Sequence, residues 1–303
     1  MKTPAHIPVL PDAVLQWLDP QPDEVFVDGT LGGGGHARLI AQRVGPQGRV
    51  IAVDRDPAAV QAARAVLLEP VVEAIPGNYA DLRDLLSGLD LEAVDGILLD
   101  LGLSSDQLAD LSRGFSFEAD GPLDLRFDPS EGEPAWALLE RLDERALADL
   151  IYRLGEERFS RRIARRIVET RRSTRIRTSG QLAELVRRCV PRSRGHRIDP
   201  ATRTFQALRI AVNDELGALD RALAEMPDLL WPGGRLVIIT FHSLEDRRVK
   251  HAFRDDPRLE NLTRKPIRAS DAEVARNPRS RSAKLRAARR KAADNPEAAS
   301  RVQ

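Results

Sequence analysis

The chain has 303 residues, a formal net charge of +1 and a single cysteine, Cys189. One cysteine excludes an internal disulfide and a cysteine-based metal cluster within the chain. No apolar run approaches the ~18 residues of a membrane span, and the first residues lack the apolar region of a signal peptide, so we expect a cytoplasmic protein that does not enter a membrane.

The near-neutral net charge hides an uneven distribution. Residues 1–150 carry 11 Lys and Arg against 27 Asp and Glu, whereas residues 151–303 carry 36 against 19. Residues 153–197 alone hold 15 arginines and 4 acids, and the tail at 276–303 is also basic. A charge run is often only a solvated surface, but arginine this dense favours binding to the phosphate backbone of a nucleic acid.

The chain begins with a short helical pattern at 12–18, and its most informative stretch comes next. An apolar strand at 25–28 leads into a turn with five glycines in seven residues, a helix at about 36–44 and a strand at 49–54. Glycines let a ligand approach main-chain N–H groups, and the helix start offers unpaired donors. Asp54 ends the second strand, where a carboxylate can bind ribose hydroxyls. The unit predicts a nucleoside-cofactor site, the alternative being a tight turn without a ligand.

The alternation of helices and strands continues as far as Asp100. The pattern predicts a helix at 58–68, a strand at 71–75, a short helix at 81–86 and an apolar strand at 96–100. A strand that is apolar throughout is typical of one buried on both faces. These elements predict an α/β fold with a doubly wound parallel sheet.

A different pattern follows Asp100. Residues 101–127 form a loop rich in Gly, Ser and Asp, and loops of that length are usually functional. Four helical patterns come next, at 135–142, 144–154, 156–172 and 179–189. Because no strand pattern interrupts them, we expect an all-helical insertion at 106–200.

The sheet pattern resumes after the insertion. We expect a long helix to about 226, a turn at 231–234, a fifth strand at 235–240, a helix to about 253 and an edge strand at 283–287. The domain that contains the sheet would therefore be discontinuous, comprising 1–105 and 201–303.

Asp28 helps to decide between two candidate cofactors for the glycine-rich turn. A dinucleotide site would have its third glycine inside the helix, whereas here the glycines are contiguous and an acid closes the first strand. A carboxylate at this point suits an ammonium or sulfonium and would repel a pyrophosphate. The pattern favours S-adenosyl-L-methionine over a nicotinamide dinucleotide, and the alternative for Asp28 is a turn cap.

Three side chains are candidates for the chemistry itself. Asp100 ends the fourth strand, at the sheet edge that faces the ligand crevice, and can orient a substrate amine, accept its proton or bind the cofactor. Asp124 lies in the long loop and His242 follows the fifth strand; each is as compatible with a structural role as with a catalytic one. His36 suits the loop better than a metal, and no metal-ligand spacing is convincing.

Ten ordered motifs cover nearly the whole chain. They include Asp28-Gly29-Thr30-x-Gly32-x-Gly34-Gly35-His36, Asp100-Leu101-Gly102-x-Ser104-Ser105-x-Gln107, Asp120-Gly121-Pro122-Leu123-Asp124, Pro200-Ala201-Thr202-Arg203-Thr204-Phe205-Gln206-Ala207 and Phe241-His242-Ser243-Leu244-Glu245-Asp246-Arg247. Together they resemble the MraW family of bacterial ribosomal RNA small subunit methyltransferases H.

The resemblance implies a Rossmann-like class I methyltransferase sheet with an inserted helical domain that recognises rRNA. It implies S-adenosylmethionine-dependent methylation of the N4 amine of cytidine 1402 in the decoding region of 16S rRNA. The cofactor-binding residues, combining the family positions with the loop argument, would be Asp28, Gly32, Gly34, Gly35, His36, Asp54, Tyr79, Asp100 and Gln107. The catalytic candidates stay Asp100, Asp124 and His242, because the Asp-Pro-Pro-Tyr signature of many amino-methylating enzymes is absent and the motif does not identify the proton acceptor.

Two other functions stay open on the sequence. One is a nicotinamide-dependent oxidoreductase, and the other is a non-catalytic ribosome assembly factor built on the same scaffold. The expected partner is 16S rRNA in the small ribosomal subunit, without a metal or a membrane. The oligomeric state is open, with a homodimer among the options.

Overall fold

The computed structural model describes residues 7–67, 71–117, 120–191 and 199–292. Residues 192–198, which include the end of the arginine-rich segment, lie outside these ranges, as do residues 293–303 at the end of the basic tail. The chain forms two compact units, Met1–Gly102 with Gly217–Gln303, and Leu103–Leu216. We call them the sheet unit and the helical unit.

The elements follow one another in an order close to the predicted one. The strands are β1 (Val25–Asp28), β2 (Arg49–Asp54), β3 (Val72–Pro76), β4 (Val94–Asp100), β5 (Leu230–Thr240), β6 (Leu259–Asn261) and β7 (Lys284–Arg290). The helices are α1 (Pro11–Leu18), α2 (Gly35–Val44), α3 (Pro57–Val66), α4 (Leu82–Ser87), α5 (Ser105–Ala109), α6 (Ala135–Arg141), α7 (Glu144–Gly155), α8 (Ser160–Arg171), α9 (Ser179–Cys189), α10 (Thr202–Asn213), α11 (Glu215–Glu225), α12 (Ser243–Asp255) and α13 (Asp271–Arg276). No described helix is long and apolar enough to cross a membrane.

The sheet unit is a seven-stranded sheet in the order β3-β2-β1-β4-β5-β7-β6. Strands β1 to β5 are parallel, and β7 runs antiparallel to both β5 and β6. The strand order reverses between β1 and β4, and in such sheets ligands bind at the carboxyl ends of the strands at this switch point. Asp28 ends β1 and Asp100 ends β4, so both carboxylates lie there.

Alternate residues of the strands fill two apolar layers, one on each face of the sheet. On one face Phe26 and Leu98 pack with residues of α1, α2 and α3. On the other face Val27 and Leu99 pack with residues of α4, α11 and α12. Burial on both faces explains why β4 reads as a continuous apolar run.

The helical unit has its own core. Apolar residues of α6 to α10 meet there, together with Leu123 and Leu125 from the long loop. The loop is also held by polar contacts, since the buried Arg113 guanidinium donates to the carbonyls of Arg126 and Phe127, each at 2.6 Å. A loop fixed at both its apolar and its polar groups can position a functional side chain.

The predicted long helix at 200–226 is wrong. The structure has two helices that are separated at Asp214, whose φ of 48° is left-handed. Apolar periodicity continues through the break, and aspartate tolerates this conformation, so the sequence carries little signal of it. In α10, Phe205 and Leu208 join the helical core, and the unit therefore spans 103–216, whereas the predicted insertion spans 106–200.

Two details of the sheet also differ from prediction. The Trp231–Gly234 segment was expected to be a turn but belongs to β5, where Val94 pairs with Leu230 and the register shifts before Gly96 pairs with Arg235. The strand β7 was expected at the edge of the sheet, but the three-residue β6 pairs with it and takes that place. So short a strand gives no detectable alternation in the sequence.

Candidate cofactor site

The glycine-rich loop after β1 is fixed by its own backbone. Leu31 N donates to Val53 O at 2.8 Å and Gly34 N donates to Leu31 O at 2.7 Å. Gly32 and Gly34 have φ values of 48° and 74°, a conformation that residues with a Cβ rarely adopt. At Gly34 an added Cβ would also lie 2.9 Å from the Leu67 side chain. The backbone conformation therefore requires glycine at position 34, and any larger residue would also have to displace the flexible Leu67 side chain.

Asp54 anchors this loop from the end of β2. Its Oδ2 accepts a hydrogen bond from Gly32 N at 2.7 Å, and its Oδ1 accepts one from Asp56 N at 2.9 Å. Burial raises the pKa of Asp54, against the opposing effect of these two N–H donors. Each carboxylate oxygen retains a lone pair, so Asp54 can hold the loop and still accept hydrogen bonds from a ribose.

Asp28, His36 and Asp100 form a buried polar cluster at the switch point. His36 Nε2 lies 3.5 Å from Asp100 Oδ2, outside hydrogen-bond geometry. Among the described residues, Asp28 Oδ2, both ring nitrogens of His36 and Asp100 Oδ1 are buried without a hydrogen-bond partner. Buried polar atoms are rarely left unpaired, so these atoms are the ones a bound polar molecule would satisfy.

Burial and the charges within the cluster shift the pKa values of Asp28 and His36. Burial raises the pKa of Asp28 to about 6, although His36 and the Thr30 backbone partly oppose the increase. Burial alone would lower the pKa of His36, but the carboxylates of Asp100 and Asp28 outweigh it and raise that pKa. Two acids around one imidazole favour a cationic ligand and disfavour a pyrophosphate.

Thr30 connects the two acids and was not among the residues predicted for the site. The Asp100 backbone N–H donates to Thr30 Oγ1 at 2.6 Å, and Thr30 N donates to Asp28 Oδ1 at 3.2 Å. The Asp-Gly-Thr sequence of the loop was the available signal, since a threonine two residues after an acid often closes such a turn.

Tyr79 lies near the same edge, in a 3₁₀ turn after β3. Gly77 N donates to Asp54 O at 2.9 Å, which brings this turn beside the end of β2. The Tyr79 Cβ is only 3.1 Å from the position of a Cβ added to Gly29, and the ring packs partly into the apolar layer. The structure thus brings Asp28, His36, Asp54, Asp100 and Tyr79 to one edge of the sheet.

His242 follows β5 and begins α12 as its N-cap. Its Nδ1 accepts from Glu245 N at 3.4 Å, while Glu245 Oε2 accepts from His242 N at 3.3 Å. The His242 Nε2 lies 3.0 Å from Glu245 Oε1 without hydrogen-bond alignment. These reciprocal contacts form a capping box, which gives the imidazole a structural role whether or not it has a chemical one.

Gln107 and Asp124 belong to the helical unit. Gln107 closes a capping box on α5, with its Oε1 accepting from Ser104 N at 3.0 Å. Asp124 accepts two hydrogen bonds from the Arg126 guanidinium, at 2.8 and 2.7 Å. Burial raises the pKa of Asp124, but the Arg126 contacts outweigh it and hold that pKa below its ordinary value. Arg126 was not among the residues predicted for the site.

The sheet order, with its antiparallel β7, and the acidic site at the switch point define a Rossmann-like class I S-adenosylmethionine-dependent methyltransferase, as predicted. The family model described as the MraW methylase family matches residues 3–291. The chain therefore belongs to that family, and the resemblance noted from the motifs is confirmed.

Three curated relatives illustrate the similarity, and each is named ribosomal RNA small subunit methyltransferase H. The protein of Rhodopirellula baltica is 53% identical over 94% of this chain and 91% of the relative. The proteins of Thermomicrobium roseum and of a Synechococcus species are 50% and 53% identical, each over 95% of this chain and 94% of the relative. The shared name of these relatives describes methylation of small-subunit ribosomal RNA. This chain is a methyltransferase of the same family, and its cofactor is S-adenosyl-L-methionine.

Proposed function

We propose that this protein transfers a methyl group from S-adenosylmethionine to the N4 amine of cytidine 1402 in the decoding region of 16S rRNA. The observation that carries the proposal is the cluster of Asp28, His36 and Asp100, whose buried polar atoms lack partners at the switch point of the sheet. The two carboxylates and the imidazole fit a cofactor that carries a sulfonium and an ammonium. When bound, the cofactor supplies an electrophilic methyl group.

The chain's own residues would then bind and align the reactants. Asp54 would hold the ribose, the Tyr79 ring would lie near the adenine, and the loop at Gly32, Gly34 and Gly35 would let the cofactor approach the main chain. Gln107 is kept as a further cofactor contact. Rate would come mainly from the alignment of the amine with the methyl carbon.

Asp100 is the acid we favour for the chemical step. The lone pair of an exocyclic cytosine amine is delocalised into the ring, so the amine is a weak nucleophile. A carboxylate that accepts its N–H bond would localise the lone pair and could take the proton released after transfer. Asp100 Oδ1 is buried and has no other described partner.

Asp124 and His242 take secondary places in this proposal. Asp124 is paired with Arg126 and has a lowered pKa, so it is better suited to orient an amine or a ribose hydroxyl than to remove a proton. His242 is already engaged as the N-cap of α12. Both are retained as catalytic candidates.

The helical unit is the proposed rRNA-recognition domain. Four exposed arginines project from α8: Arg161, Arg162, Arg165 and Arg166. The ion pairs that Arg165 makes with Glu144 and Arg166 with Glu169 are both exposed at 3.4 Å, so they contribute little and can give way to phosphates. The target cytidine must leave its stack, which is easiest at a single-stranded or distorted site.

Two rival functions are less compatible with the acidic cluster. A nicotinamide dinucleotide would bring its pyrophosphate towards Asp28 and Asp100. A non-catalytic assembly factor would gain nothing from buried carboxylates without partners, which destabilise the unit that contains them. Parallel titrations with S-adenosylhomocysteine and NADH distinguish the methyltransferase from the oxidoreductase, because only a methyltransferase binds S-adenosylhomocysteine.

The proposal is tested by methyl transfer from tritiated S-adenosylmethionine to cytoplasmic small subunits isolated from a strain that lacks this enzyme. We expect label in N4-methylcytidine after digestion of the rRNA to nucleosides. Cofactor binding with label in another nucleoside, or with none, would refute the assignment of the acceptor. Equal transfer to free 16S rRNA would identify the naked RNA as a sufficient substrate.

A further inference from the structure

Residues near the C-terminal end of the described chain form hydrogen bonds with the N-terminal segment Ile7–Leu10. The Leu10 backbone N–H donates to Glu273 Oε1 at 2.7 Å, and Asn277 Nδ2 donates to the Ile7 carbonyl at 3.1 Å. Glu273 lies in α13, and Asn277 is the C-cap of the same helix. These two bonds join residues separated by 263 and 270 positions in the sequence.

Leu10 needs this external support. It has φ 53° and ψ 42°, a left-handed conformation that a leucine adopts only when its surroundings require it, and it makes no side-chain cap for α1. Its side chain is buried in the apolar layer beneath. The hydrogen bond from its N–H to the Glu273 carboxylate is charge-assisted and stabilises the strained turn.

Within the segment Ile7–Leu10, Pro8 packs against the end of the glycine-rich loop. The Pro8 ring lies 3.2 Å from the position of a Cβ added to Gly35, the first residue of α2. Gly35 follows the left-handed Gly34 and precedes His36. Contiguous glycines have large conformational freedom, and a rigid ring packed against them restricts it.

We propose that Glu273 and Asn277 are positioning residues of the cofactor site. They hold Pro8 against the start of α2 and thereby keep the glycine loop and His36 in the conformation that binds the cofactor. Preorganisation of this kind increases affinity because less freedom is lost on binding. This inference rests on the proposed placement of S-adenosylmethionine at the glycine loop.

Three variants test the role of Glu273. Glu273→Ala removes the acceptor for Leu10 N–H, Glu273→Gln keeps an amide oxygen at the same place, and Asp271→Ala removes an exposed acid from the same helix as a matched control. We expect Glu273→Ala to weaken S-adenosylhomocysteine binding about tenfold by calorimetry, or about 1.4 kcal/mol. Glu273→Gln and Asp271→Ala should stay within about twofold of the wild type. Equal affinity in all four proteins, or an equal loss in Glu273→Ala and Glu273→Gln, would overturn the proposal.

A measurement on the unaltered protein avoids any folding defect of the variants. Because coupling between sites is reciprocal, saturation with S-adenosylhomocysteine should slow hydrogen exchange at the Leu10 amide. Unchanged exchange at this amide, in a wild-type protein that binds the compound, would refute the positioning role alone. A wild type that does not bind S-adenosylhomocysteine would refute the proposed function and this inference with it.

Discussion

His36 Nε2 lies 3.5 Å from Asp100 Oδ2, where the start of α2 approaches the end of β4. Neither ring nitrogen of His36 has a hydrogen-bond partner among the described residues. Asp28, also buried, adds a second carboxylate to the same environment. An arrangement of this kind is unfavourable in the empty protein and becomes favourable when a cation binds, which links stability, pH and cofactor affinity in one cluster.

The first prediction concerns stability. Asp28→Asn keeps an acceptor for Thr30 N and removes a buried charge, so it should stabilise the cofactor-free protein at pH 8 by about 1–3 kcal/mol. The folded pKa of Asp28, about 6, exceeds its ordinary value of 3.8. The wild type therefore gains stability as pH falls through about 6, and the advantage of the variant should disappear near pH 4. Urea denaturation of both proteins at several pH values measures this difference, and an advantage independent of pH would contradict the assignment.

The same substitution should have the opposite effect on binding. Ionised Asp28 attracts a cationic ligand, and it is protonated as pH falls through about 6. The affinity of the wild type for S-adenosylmethionine should fall from pH 8 to pH 5, whereas Asp28→Asn should bind weakly and with a flatter pH profile. Adenosine, which carries neither sulfonium nor ammonium, serves as the control ligand. A wild-type pH profile that is equally steep for adenosine would exclude a charge effect.

The third prediction compares two neighbouring acids. Asp54 accepts from Gly32 N in the loop, whereas Asp56 caps α3 by accepting from Ala58 N at 3.0 Å. Asp54→Ala should weaken S-adenosylhomocysteine binding by tenfold or more, since both the loop anchor and the ribose acceptor are lost, each contributing about 1–3 kcal/mol. Asp56→Ala should lower stability by about 1 kcal/mol and leave binding nearly unchanged. Calorimetry and thermal melting of the two variants provide the comparison.

The two roles of His242 can be separated by a pair of variants. Asparagine is a good N-cap but cannot replace an imidazole in proton transfer, so His242→Asn keeps the structural role alone. We expect His242→Asn to retain most methyl transfer and His242→Ala to lose about 1 kcal/mol of stability. Loss of transfer in a His242→Asn protein with wild-type melting behaviour would establish a chemical role for the ring.

Asp124 calls for a different control. Asp128 is another aspartate of the segment between α5 and α6, and its Oδ1 accepts from Ser130 N at 2.8 Å. Asp124→Asn should lower kcat for rRNA methylation at least tenfold while leaving S-adenosylhomocysteine affinity unchanged, and Asp128→Asn should have little effect on either. Steady-state kinetics with small subunits give both values. Full activity in Asp124→Asn would remove this residue from the catalytic set.

The parts of the fold that depend on local pattern were predictable. The apolar strands, the glycine turn and the acids at the ends of β1, β2 and β4 all lie within short windows of sequence, and the structure brings them together as the parallel sheet requires. The division of α10 from α11 at Asp214 leaves no such trace, because helical periodicity continues across it.

Contacts between distant residues were beyond prediction. Nothing near Glu273 indicates that its carboxylate accepts from Leu10 N, 263 residues away, and nothing near Asn277 indicates that its Nδ2 donates to the carbonyl of Ile7, 270 residues away. Such relationships depend on how the chain packs, and a single sequence carries no record of them. The positions of the acids at the ends of β1, β2 and β4 were therefore predictable from local pattern, whereas the packing that shifts the pKa values of Asp28 and Asp54 was not.

The most direct test of the whole account is mass spectrometry of the decoding-region fragment of 16S rRNA. The fragment would come from cells that lack this enzyme and are complemented with the wild type or with Asp100→Asn. We predict N4-methylcytidine at position 1402 with the wild type and at least a hundredfold less with Asp100→Asn at equal protein levels. An unmethylated cytidine 1402 with the wild type would contradict the proposed reaction, and full methylation with Asp100→Asn would contradict the role given to the switch-point cluster.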